Sequence, residues 1–164
     1  QTDWIPSVLR RDRRQDSLAT VFVGVWVVFE EESRSERLRR ARLRTVDGAD
    51  GSDMDVALAV EMKDGGRDYI VAMNAHHQPG QPLRRIKVAE WSLETDGDFC
   101  LVRRDGAGRI RKLALAGGTF IHQAGYELTL KRRVDFMEVA VDEDTFSVRT
   151  GNAHLLRSCH RTAP

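Results

Sequence analysis

The stretch that most constrains the fold is residues 98–118, DFCLVRRDGAGRIRKLALAGG. Phe99, Cys100, Leu101 and Val102 make one apolar arm, and residues 110–115 make another. Asp105-Gly106-Ala107-Gly108 lies between them. An Asp-Gly pair with a second glycine two positions on accommodates the positive φ of a tight hairpin loop. The spacing therefore predicts a β-hairpin that stops at Gly117-Gly118. A second pair follows, 119–122 and 126–130, turning at Gln123-Ala124-Gly125.

Upstream, residues 18–29 (LATVFVGVWVVF) are the most hydrophobic run, with β-branched residues on both faces. This reads as a central strand covered on two sides. Residues 37–46 (RLRRARLRTV) read as a basic strand ending in the turn residues Asp47-Gly48, with Arg40, Arg42 and Arg44 on one face, although leucine and arginine also favour a helix. Residues 54–62 alternate, which predicts Val56, Leu58, Val60 and Met62 facing inward, Asp55 and Glu61 outward. Lys63-Asp64-Gly65-Gly66 is a hairpin turn, and 67–74 returns with Tyr69, Val71 and Met73 on one face. Residues 86–94 read as a strand carrying Val88 and Trp91. Residues 134–141 and 145–150 read as two more, joined by Asp142-Glu143-Asp144. These sum to an all-β chain, an antiparallel β-sandwich of about ten short strands with regularly spaced turns. Residues 1–17 read as a linker or interdomain segment, 18–152 as the sandwich domain and 153–164 as a C-terminal tail. The opening Gln1-Thr2-Asp3-Trp4 predicts a piece of a larger protein.

With 164 residues, the chain is long enough to bury one real core. No apolar run reaches the roughly 18 residues of a membrane span, so no membrane partner is expected. A formal net charge of +1 offers no global attraction for nucleic acid. The basic residues are 22 Arg against 4 Lys. A guanidinium fork grips carboxylate, sulfate or phosphate in two bonds, although codon bias explains the same skew. Cys100 in a strand and Cys159 near the end lack metal-ligand spacing, and Cys100 reads as a structural buried thiol.

No zinc, redox-cysteine or serine-elbow motif occurs, and no cofactor or metal is expected. His76 and His77 form a candidate loop site, while His122, His154 and His160 are scattered. Asp47, Asp64, Asp96, Asp105 and Asp142 sit in turns, where their side chains serve turn chemistry. Arg40, Arg42 and Arg44 are candidate contacts for acidic glycan, since a strand repeats them at roughly 6.5–7 Å. The competing reading is a solvated edge that resists aggregation.

The segment order TVFVGVWVVFE, a basic strand, RDYIV, DGDFCLVRRDGAGRIRKLALAGGTF and DTFSVRTGN resembles the C-terminal β-sandwich region of heparinase II/III-like polysaccharide lyases, oligoalginate-lyase relatives included. The resemblance covers roughly residues 18–152. It rests on residues 20–30, on Asp68-Tyr69-Ile70 and on the hairpin between Arg103 and Arg109. Val28-Phe29-Glu30-Glu31 departs from it, standing where an aromatic residue and a proline are usual. The resemblance implies a parent catalytic toroid as partner, a periplasmic or secreted location, and no catalytic residue in this chain. The expected function is thus a non-catalytic accessory domain that supports a toroid and contacts acidic polysaccharide. The alternative is a free-standing carbohydrate-binding or protein-interaction module. A small barrel enzyme with scattered histidines ranks last.

Overall fold

The computed structural model describes residues 35–41, 44–45, 55–73, 84–143 and 145–161, and within 35–45 the side chain of Arg39 only. Two antiparallel sheets face each other as a β-sandwich. The larger has seven strands in the order β1 (Ser35–Ala41), β3 (Val56–Met62), β4 (Arg67–Ala72), β7 (Phe99–Arg104), β8 (Ile110–Ala116), β11 (Met137–Asp142) and β12 (Thr145–Thr150). The smaller has six: β13 (Leu156–Arg161), β10 (Tyr126–Val134), β9 (Gly118–Gln123), β6 (Leu93–Thr95), β5 (Ile86–Val88) and β2 (Arg44–Thr45).

The hairpin at 98–118 folds as its turn chemistry requires. β7 and β8 pair from Phe99↔Ala116 to Arg104↔Ile110, with Arg111 bulged out of the ladder. Cys100 and Val102 from β7 meet Leu113 and Leu115 from β8 in the core. Ile121 and Leu128 from β9 and β10 close it from the smaller sheet. The Cys100 thiol is fully buried, as its strand position predicts, and burial pushes it up to about 12.

Four expectations change. First, β3 sits in the opposite phase. Ala57 and Ala59 join the core between the sheets, whereas Val56 and Val60 are buried on the other face and stay outside that cluster. The larger apolar side chains suggested the core face, but the core-facing positions hold alanines opposite bulky neighbours. Asp55, read as outward, is buried and ion-paired to Arg84. Second, residues 37–46 are not one strand. β1 pairs with β3 in the larger sheet and β2 pairs with β5 in the smaller, so the chain changes sheets between Ala41 and Arg44. Third, 86–94 breaks into β5, a 3-10 turn (Ala89–Trp91) and β6, with Ser92 at φ 48° reversing the chain. Likewise, Val134 ends β10 rather than starting the next strand, and β11 begins at Met137. Fourth, Leu156–Arg161, read as part of a C-terminal tail, form a strand: β13 pairs with β10 over most of its length and stands last in the smaller sheet among the described strands. The apolar run 18–29 lies outside the described residues.

At the end where β6 leaves the smaller sheet, Asp96 ties that strand to β9. Its Oδ1 accepts from the backbone N–H groups of Thr119 (2.7 Å) and Phe120 (2.8 Å), and its Oδ2 from the Thr119 hydroxyl (2.5 Å). A buried carboxylate is tolerated because three donors satisfy it.

Candidate functional site

The hairpin turns at the opposite end of the sandwich build an open pocket of about 500 Å³. One wall is the tips of two hairpins in the larger sheet, Gly65 between β3 and β4 and residues 105–108 between β7 and β8. The other is Glu90, Trp91 and Ser92 from the 3-10 turn, with Gln123 and Ala124 from the β9–β10 turn. Arg67, Tyr69 and Arg104 rise between them from β4 and β7.

Turn chemistry sets these walls. Asp105 Oδ1 accepts from the N–H groups of Ala107 (3.0 Å) and Arg109 (2.9 Å). Its Oδ2 accepts from Arg109 Nε (3.0 Å) and Arg111 Nε (2.9 Å). The Arg109 backbone bond and the two guanidinium groups hold this carboxyl down at about 2. The neighbouring tip is closed by Asp64 Oδ1, which accepts from Gly66 N–H at 2.8 Å. The tips touch: a Cβ on Gly106 would collide with the Asp64 carbonyl oxygen. On the far wall, Ala124 N–H donates to the Ser92 carbonyl at 3.3 Å. Ser92 and Ala124 both hold positive φ, 48° and 40°, without being glycine, a cost that concentrates at functional sites.

Aromatic rings span the gap. Trp91, on the 3-10 turn between β5 and β6, lies 5.3 Å from Tyr69 of the larger sheet, centroid to centroid, tilted by 49°. Tyr69 is buried and Trp91 half-buried against the core. The Arg67 guanidinium hydrogen-bonds Tyr69, which raises its pKa, and sits 3.7 Å from Glu61.

Arg104 stands differently. Its Nε donates to Gln123 Oε1 at 3.1 Å and its Nη1 to the Gly108 carbonyl at 2.7 Å. Its Nη2 is buried with no hydrogen-bond partner. Burial is the main cause that lowers its pKa. By contrast, Arg103 forms a two-bond pair with Asp68 (2.7 and 2.6 Å), and Arg133 pairs with Asp98 (2.5 Å).

The residues singled out as a site from sequence are Arg40, Arg42, Arg44, His76 and His77, and of these the structure describes only the backbone of Arg40 and Arg44. Arg40 is on β1 opposite Leu58, Arg44 is on β2 opposite Lys87, and their strands belong to different sheets. Their side chains, Arg42, His76 and His77 lie outside the described residues. Register also aligns groups that looked scattered: Glu94, His122, Glu127 and His160 are successive cross-strand neighbours in the smaller sheet. Among the described residues no group of three or more His, Cys, Asp or Glu is placed to hold a metal ion. The signal for the pocket was present as turn glycines near Tyr69 and Trp91, but pairing strands from two sheets was needed to see that they converge.

Comparison with family models, with curated proteins and with solved structures finds no match.

Proposed function

We propose that this chain is a non-catalytic saccharide-binding β-sandwich module, seating its ligand in the pocket between the hairpin turns. The observation that carries this reading is the Tyr69–Trp91 pair set among polar side chains in an open hollow. Drug-like ligands favour mostly apolar pockets. A polar wall with one aromatic platform suits a ligand whose ring has apolar C–H faces and a polar rim, as a sugar does. Aromatic residues with a polar handle serve surfaces of this mixed kind. Asp105, with four donors on its carboxylate and a pKa of about 2, stays ionised at neutral pH and is spent on the turn rather than free to donate a proton.

The accessory role implied by the resemblance to heparinase II/III-like lyases fits this reading, with a catalytic toroid and acidic polysaccharide as the partners. A second reading, a packing module for a larger protein, draws on the outer face of the seven-stranded sheet. There Leu58, Ile70, Leu101 and Ala114 form one apolar cross-strand row.

A glycan array probed with the 164-residue chain tests the proposal. Retention of at least one glycan class by the native chain, lost in Trp91→Ala and largely kept in Trp91→Phe, is the expected result. Absence of any glycan binding would remove the saccharide reading.

A further inference from the structure

We propose that β12 is a sheet edge through which two copies of this chain pair, antiparallel and about a two-fold axis at Ser147. Among the described strands β12 stands last in the larger sheet and β13 last in the smaller. The chain passes from one to the other through residues 151–155, so the two edges flank one side of the sandwich. The core is thinly covered there. Phe146 and Val148 of β12, with Leu155, Leu156 and Cys159, pack against it yet stay only partly buried. A further strand beside β12 would cover them.

Charge and register commit that strand to a second copy. A two-fold axis normal to the sheet sets core-facing residues against core-facing residues. With the axis at Ser147, Phe146 of each copy meets Val148 of the other, and the apolar side continues across the join. Arg149 follows at one end of this stretch, where the ladder with β11 steps past it at a bulge. Glu143 stands in the turn before the other end. Both are exposed, and among the described residues neither has an ion pair. Antiparallel pairing brings Arg149 of each copy beside Glu143 of the other, whereas parallel pairing would set like charges together. Thr145–Val148 keep regular register with β11 and carry no charge or proline, the usual guards of an edge. On β13, Arg157, His160 and Arg161 are exposed and resist self-pairing. The copies run in opposite directions, so their two pockets open toward opposite ends of the dimer.

Sedimentation equilibrium of the 164-residue chain from about 1 μM to about 1 mM tests the pairing. A reversible monomer–dimer equilibrium is expected. Ser147→Lys, which sets like charges across the axis, and Arg149→Glu should each raise the dissociation constant about tenfold or more. Adding Glu143→Arg to Arg149→Glu should restore association, which a merely structural role of Arg149 would not do. Ser147 and Arg149 are exposed, and circular dichroism of each variant confirms the fold. A chain that stays monomeric over the whole range would overturn the proposal. So would a dimer that neither substitution weakens, since its contact would then lie elsewhere.

Discussion

The Trp91 ring lies 5.3 Å from the Tyr69 ring at an interplanar angle of 49°; Tyr69 stands on β4 of the larger sheet, and Trp91 on the 3-10 turn that links β5 and β6 of the smaller. This contact joins the layers at the end where the hairpin turns meet. It also presents half-buried Trp91 at the pocket wall. Trp91→Ala is expected to lower stability by about 2–3 kcal/mol, below the range for a fully buried aromatic. Trp91→Phe should recover most of that. Urea unfolding of the two variants measures it. A neutral Trp91→Ala would mean that the ring contact contributes nothing to joining the sheets.

Asp96 is the anchor at the other end. Its three accepted bonds from Thr119 and Phe120 are made at 5% exposure. Asp96→Ala leaves two backbone donors unsatisfied and should cost about 3 kcal/mol or more. Asp96→Asn keeps one acceptor oxygen and should cost less. A chemical denaturation midpoint unchanged in Asp96→Ala would show that β6 and β9 do not depend on this carboxylate.

Asp105 gives the fold a defined acid response. Its carboxyl is lowered from an ordinary 3.8 to about 2. The stabilisation is thus fully present above about pH 4 and is lost as pH falls through about 2. Asp105→Asn should be less stable than the native chain at pH 7, and the gap should narrow as pH falls from about 4 to 2. Thermal unfolding at several pH values reads this. A gap that stays constant over the window would assign the turn to backbone bonds alone.

Gly106 separates pocket shape from core stability. A Cβ there meets the Asp64 carbonyl, so Gly106→Ala must spread the two hairpin tips. Expected is a loss of about 1–3 kcal/mol, in the range of overpacking changes, with amide-exchange protection reduced mainly at 63–66 and 105–108. Uniform loss of protection across both sheets would place the strain in the core instead.

The all-β sandwich was legible because turn chemistry and strand periodicity act locally. Asp105-Gly106-Ala107-Gly108 and Lys63-Asp64-Gly65-Gly66 mark hairpins wherever they occur. The phase of β3 was not legible, because both of its faces are apolar and alternation then names no inner side. Only the neighbours Tyr69 and Val71 show that Ala57 and Ala59 face the core. The turn at Ser92 was hidden because its positive φ falls on a non-glycine residue. The arginine stripe looked like one feature in sequence, yet the chain changes sheets inside it. The pocket depends on four turns meeting across two sheets, which no local pattern encodes.

Mapping backbone amide shifts of the isotopically labelled chain during titration with a glycan that it retains tests the central claim most directly. The shifts should cluster at Gly65, Arg67, Tyr69, residues 90–92, residues 104–108 and residues 123–124, and should vanish in Trp91→Ala. Saturable shifts confined to β1 and β2, or to the outer face of either sheet, would contradict the assignment of the binding site to this pocket.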